Sequence, residues 1–396
     1  MNRSGIDAAD ANADEARVPP YAPHALGLDG TADTLARQQR RWRETFAAEI
    51  YGPIPPPPGA IAVERHPVTA AGWRRLGLTL RHGWRSHMVD AALWLPPDAA
   101  GPVPLIVGLA FLGPAGVLFD TGFPIDWEAV VEAPPELGLV DRRLDEPVRG
   151  VHAPRWPVPL ILGAGFGLLL SCYGSWVPDC AERWQQRGVW PLLALDADEG
   201  RPGALSLWAW AFHRLVDVAL SLDGVDPQRI ALAGHSRLGK AALWAAACDA
   251  RVEAVLANNP GCFGAALSCR QYGETPRRLA LRFPYWVTPR LAETVRDGGL
   301  PPIDQHALLA AVAPRRVHVA SAAADWWADP RGEYEGLRAA LPAWPGASAL
   351  PPWTEPVRPG TFLSAGPVAW HLRPGGHGLS PWDWRHSLPF LRAAAK

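Results

Sequence analysis

Ser236, Asp325 and His377 have the side-chain types and the order along the chain needed for nucleophilic acyl transfer. In that chemistry an imidazole takes the proton of a hydroxyl, and a carboxylate orients the imidazole and stabilises its charged form. Ser236 lies in Gly234-His235-Ser236-Arg237-Leu238-Gly239-Lys240, after the strand-like Ile230-Ala231-Leu232-Ala233 and before the helix-prone Ala241-Ala242-Leu243-Trp244. A serine between strand and helix, flanked by glycine, is expected on a tight, strained turn that presents its hydroxyl. The spacing is Gly-x-Ser-x-x-Gly, one residue off the usual Gly-x-Ser-x-Gly. Without its context the string would read equally as a serine helix cap.

His377 sits in Pro374-Gly375-Gly376-His377-Gly378, directly after an apolar run at 368–372, and the glycines leave the imidazole free to reach a serine. Asp325 follows another such run at 317–320, where an acid would orient that histidine. Asp304 is an outside candidate for the acid, while Asp329, just before Pro330, reads as a helix N-cap. His371 lies inside a predicted strand and is read as structural. His235 is expected to point away from the site, and His306 to wall the pocket.

The elements that must position these groups alternate. Strands are predicted at 60–65, 73–81 and 88–95, as an antiparallel start in which Leu76, Leu78 and Leu80 alternate. Nearly continuous apolar runs at 105–110, 167–172, 191–195, 230–233, 254–257 and 317–320 predict buried parallel strands, and 368–372 a last strand. Helices are expected at 31–51, 205–222, 240–247, 332–341 and 384–394, giving the βαβ alternation of a wound parallel sheet. The implied fold is α/β: an α/β-hydrolase, a three-layer sandwich with a mostly parallel central sheet. Residues 112–156 and 268–306 are long, irregular insertions expected to build the cleft. Residues 1–18 are polar and read as a disordered tail, and residues 19–396 as one catalytic domain.

A chain of 396 residues, 48% apolar, can bury a large core. Its formal net charge of −1 leaves no basic footprint for nucleic acid. No apolar run is long enough to span a membrane, and no secretory signal is visible, so the sequence as written reads as cytoplasmic unless a leader has been removed. The five cysteines lack metal-ligand spacing, and neither a metal nor an organic cofactor is expected. Twenty tryptophans would suit a sugar-binding cleft, although most should fill the core.

The segment 234–244 resembles the nucleophile segment of bacterial glucuronoyl esterases, a carbohydrate esterase family. Asn258-Asn259-Pro260-Gly261-Cys262-Phe263-Gly264, Phe283-Pro284-Tyr285-Trp286, Asp304-Gln305-His306, Asp325-Trp326-Trp327-Ala328-Asp329-Pro330 and Gly375-Gly376-His377 are similar to further blocks of that family, in order. The resemblance implies hydrolysis of the ester between a glucuronic acid carboxyl on xylan and an aromatic alcohol of lignin. It also implies that Arg237 helps hold the oxyanion, that Lys240 and Glu274 bind sugar hydroxyls, that Trp327 packs on the sugar ring, and that Gln305 is a polar pocket residue. Some family members carry a glutamate acid at the position of Asn259, so here the acid must come from Asp325. Pro260 and Phe263 replace smaller residues, and most of the family is exported. The rival expectations are an acetyl or small-ester hydrolase of the same fold, and a catalytically silent sugar binder.

Overall fold

The computed structural model describes residues 12–198, 200–354 and 357–393. Its strands are β1 (Ala60–Val68), β2 (Trp73–His82), β3 (Arg85–Trp94), β4 (Val103–Ala110), β5 (Gly167–Cys172), β6 (Val225–His235), β7 (Ala254–Asn258), β8 (Arg316–Ala322), β9 (Thr361–Ala365) and β10 (Val368–Arg373). They form one 10-stranded sheet in the order β1-β2-β3-β5-β4-β6-β7-β8-β10-β9. Neighbouring strands from β5 to β10 in that order are parallel, whereas β1–β2–β3–β5 and the β9 edge pair antiparallel. This is the α/β-hydrolase arrangement expected from the sequence.

Residue type explains the difference between the two halves. Every residue of β5 and β7 is buried, as the continuous apolar runs require of strands covered on both faces. In β2, Leu76, Leu78 and Leu80 are buried and their neighbours are less so, giving one wet face. Helices Ala204–Ala219 and Arg237–Cys248 pack on each other and on the central strands. Helices Val158–Gly163 and Pro381–Arg392 form a second group, joined where Trp156 meets Trp384 at 5.5 Å.

Three expectations change. Residues 191–195 are not a strand but lie within and after the short helix Val189–Leu193, which Ala194 ends in the left-handed conformation; a short apolar run reads alike for a strand and a helical segment. The first helix, Ala32–Phe46, widens into a π-helical turn at Ala47–Tyr51 instead of running on as α-helix. The predicted tail is only partly within the described residues, and residues 12–18 are anchored, not loose. Asn12 pairs with Gly273, and Glu15 meets Arg270 and Arg331, so the polarity that reads as solvation serves ion pairs.

Candidate active site

Register brings the functional positions into line. His235 of β6 pairs with Asn258 of β7, Asn258 with Ala320 of β8, and Ala320's other partner is His371 of β10. The residues just past that row, Ser236, Asn259, Asp325 and His377, therefore emerge at the carboxyl ends of four adjacent strands. Open α/β sheets place their ligands outside these ends.

Ser236 has φ 58° and ψ −127°, a conformation that L-residues rarely adopt, and its amide donates to the Asn258 carbonyl at 2.9 Å. The helix Arg237–Cys248 starts at once, with Gly239 and Lys240 donating back to the Ser236 carbonyl. A Cβ on Gly234 would lie 2.1 Å from the Leu238 carbonyl oxygen, and one on Gly239 would lie 3.1 Å from the Gly234 carbonyl oxygen. The displaced second glycine of the motif is thus still the one that lets strand and helix touch.

Nδ1 of His377 lies 2.6 Å from Oδ2 of Asp325, which is buried at the end of β8. The Asn259 amide donates to the same oxygen at 2.8 Å. In place of an acid, Asn259 thus supplies a hydrogen bond that holds the carboxylate. Arg373, which sequence reasoning did not single out, fixes the histidine loop by donating to the carbonyls of Pro374, Gly376 and Gly378. Asp304 caps the helix Gln305–Ala310 and accepts from the Ser268 and Cys269 amides, which excludes it from the histidine. Asp329 is the expected N-cap of the helix Pro330–Ala340.

His235 does not point away as expected: its ring centroid is 4.6 Å from that of His377. Asn258 turns its amide nitrogen to Asp383, at 3.2 Å, leaving its oxygen to accept from His235 Nδ1 at 2.6 Å. Burial, followed by the neighbouring His377, holds His235 well below the ordinary histidine range, so it stays neutral. His371, fully buried on Asp383 at 3.0 Å, is structural as predicted.

On the other side of Ser236, the buried Arg237 binds Asp179 through Nη1 and lies 4.5 Å from the Trp286 ring. Its Nε, also buried, has no partner among the described residues. Asp179 also accepts from Tyr173 at 2.7 Å, Tyr285 at 2.5 Å and Trp286 at 3.1 Å. Burial alone would raise the Asp179 pKa, but Arg237 and these donors bring it below the usual value, so the pair is ionic. Asp179 has no signal in the sequence; only the fold brings it to Arg237 across 58 positions.

Lys240 and Glu274 are buried together at 2.8 Å, and Lys240 also donates to the Cys262 carbonyl. The Glu274 amide donates to the Trp327 carbonyl at 2.8 Å, so these three predicted residues do come together. Trp327 is half-buried, with Arg278 over its ring at 5.2 Å. Gln305 is not brought to an open surface. It is fully buried and bonded at both amide ends, to Ser268 at 3.2 Å and to Tyr51 at 3.3 Å. His306, likewise buried, meets the His24 carbonyl at 2.8 Å. Glu333, missed by sequence reasoning, is fully buried against the Gly261 amide and Ser321, and burial pushes its carboxyl well above the usual range. Among the described residues there is no cluster of metal-ligating side chains and no helix long and apolar enough to cross a membrane.

The strained serine elbow at the end of a central parallel strand defines a hydrolase of the α/β class. A family model described as fungal glucuronyl esterase matches residues 182–346. The carbohydrate esterase MZ0003, from an unknown prokaryotic organism, is 32% identical over 96% of this chain and 91% of its own. The solved glucuronoyl esterase from Solibacter usitatus is 33% identical with a TM-score of 0.84, covering 96% of this chain and 99% of that one. A promiscuous CE15 esterase from a marine bacterial metagenome gives 29% and 0.83 over 96% and 99%. The chain belongs to the CE15 glucuronoyl esterase family.

Proposed function

We propose that this protein hydrolyses esters of glucuronic acid, with Ser236 as nucleophile, His377 as proton carrier and Asp325 as the orienting acid. The carrying observation is the 2.6 Å contact of His377 Nδ1 with Asp325 at the carboxyl ends of the strands that follow the elbow. With Nδ1 so engaged, only Nε2 is left to serve the serine. Ser236 Oγ adds to the ester carbonyl as its proton passes to His377. The C–O bond to the alcohol then breaks, with that proton leaving on the alcohol. Water, deprotonated by His377, attacks the acyl-enzyme, and the uronic acid departs as Ser236 recovers its proton.

Arg237, next to Ser236 and held by Asp179 so that little reorganisation is needed, stabilises the developing oxyanion with its guanidinium charge. Lys240 has three N–H donors, and the contacts with Glu274 and the Cys262 carbonyl leave one for a substrate hydroxyl. A sugar ring stacks on the face of Trp327 that Arg278 leaves open. Gln305 supports this pocket from behind, through Tyr51 and Ser268. The natural substrate is the uronate ester of a glucuronoxylan, with an aromatic alcohol as leaving group. Comparison of kcat/KM for benzyl glucuronate and acetylated xylan tests the assignment. Preference for the glucuronate is expected, and preference for the acetyl ester overturns it.

A further inference from the structure

The segment 12–21 runs along the insertion that carries Glu274 and is bonded to it by backbone and by charge. The Asn12 carbonyl accepts from the Gly273 amide at 2.7 Å, and its side chain donates to the Gln271 carbonyl at 3.2 Å. One residue on, the Glu274 amide is bonded to Trp327 at 2.8 Å. Gly273 has φ +65°, and a Cβ there would sit 2.6 Å and 2.5 Å from the carbonyl oxygens of Trp326 and Trp327. Three stretches of backbone are therefore layered: the N-terminal strap, residues 271–274, and the turn Trp326–Ala328, whose N-cap is Asp325.

Arg270 ties the same three together. Its side chain is 1% exposed. Nε donates to both oxygens of Asp329, at 3.1 and 3.0 Å, at the far end of the Asp325 turn. Nη1 donates to the Tyr21 hydroxyl at 3.3 Å, and Nη2 meets Glu15. Glu15 is shared with Arg331 at 3.4 Å, and Tyr21 is bonded to Glu335, both arising from the helix Pro330–Ala340 that follows the turn. A buried guanidinium keeps its geometry only while its carboxylate partners stay in place, so the position of the strap is transmitted to the turn. Elsewhere in the site, Ser236 is pinned by Asn258, its neighbour Arg237 by Asp179, and the His377 loop by Arg373.

We infer that residues 12–21 are a specificity element of the acyl pocket, holding Glu274 and Trp327 in register with Asp325 through Arg270 and Gly273. Glu15 and Arg270 are positioning residues that touch no substrate. The inference rests on the proposed glucuronate assignment. A uronate ester needs Glu274 and Trp327 placed for its hydroxyls and ring, whereas a small acetate ester uses neither.

The test compares the wild type with Glu15→Ala, Glu15→Gln and a form lacking residues 1–18, on benzyl glucuronate and on nitrophenyl acetate, with thermal melts alongside. Loss of kcat/KM on benzyl glucuronate by ~10–50-fold, mostly in KM, with nitrophenyl acetate kept within ~2-fold, is expected for a mispositioned polar subsite. Equal losses on both substrates, or no loss on either, overturn the inference. If the shortened form does not fold, the two Glu15 variants decide by the same criterion. A wild type inert on benzyl glucuronate overturns the acyl assignment and this inference with it. A wild type that cleaves the ester but is indifferent to the strap overturns the inference alone.

Discussion

Ser236 and Glu274, the proposed nucleophile and the proposed sugar contact, are held in place by different means. The Ser236 backbone is set by a strained φ of 58°, two glycines at the strand–helix contact and pairing with the next strand, while the neighbouring Arg237 is held by the buried Asp179. Around Glu274 the ties join distant parts of the chain, by charge and by backbone: Lys240, 34 positions away, pairs with it, and the nearby Arg270 meets Glu15, 255 positions further off. The first kind of site is built by local geometry and sheet register. The second exists only once the insertion, the strap and the acid turn have met. Chemistry common to a fold can reside in the first, and substrate choice in the second.

The sharpest way to break the comparison is at the nucleophile. Ser236→Ala and His377→Ala should each lower kcat by ~10⁴–10⁶, the double variant no further, because the residues act as one unit. Steady-state kinetics with a thermal melt on each variant checks this, and more than a few per cent residual activity in Ser236→Ala would refute the serine mechanism. Next comes the acid. Asp325→Asn should cost ~10³–10⁴ in kcat, since the amide cannot stabilise imidazolium. Asn259→Ala, removing only one hydrogen bond to the acid, should cost about tenfold or less. Similar small losses for both would move the acid role off Asp325.

On the charge-built side, Glu274→Ala should reduce kcat/KM for a glucuronate ester by ~10² and leave nitrophenyl acetate within a few-fold, because a polar subsite discriminates through its unpaired groups. Proportional losses on the two substrates would erase the distinction between the regions. The smallest effect is expected at Gln305. Losing its two buried bonds in Gln305→Ala should cost about 1–3 kcal/mol of stability in denaturant unfolding while kcat/KM changes little. A large fall in kcat/KM with unchanged stability would return Gln305 to the pocket.

What was legible in the sequence follows the same division. The apolar run at 167–172 coincides with β5, and the turns after β6, β8 and β10 carry Ser236, Asp325 and His377, because strand period and glycine placement are local signals. Residues 191–195 look equally apolar but fall in the short helix Val189–Leu193, because an apolar run of five residues cannot tell a strand from a helical segment by periodicity. Asp179 could not be found because nothing near Val177-Pro178-Asp179 marks a partner for Arg237. Gln305 and His306 lay in a matching block, yet burial direction is not written in a residue string, and both turned inward. The polar tail misled for a related reason: charge reads as solvation until the opposite charge is seen.

The cysteines have a consequence of a different order. All five are free thiols: Cys172 is fully buried and pushed up to about 11, Cys248 is pushed up to about 12, and burial raises Cys262 and Cys269 as well. Cys172, Cys248, Cys262 and Cys269 therefore offer almost no thiolate to an oxidant or to a disulfide exchange partner near neutral pH. With no disulfide among the five, a reductant would remove no covalent tie from the described fold.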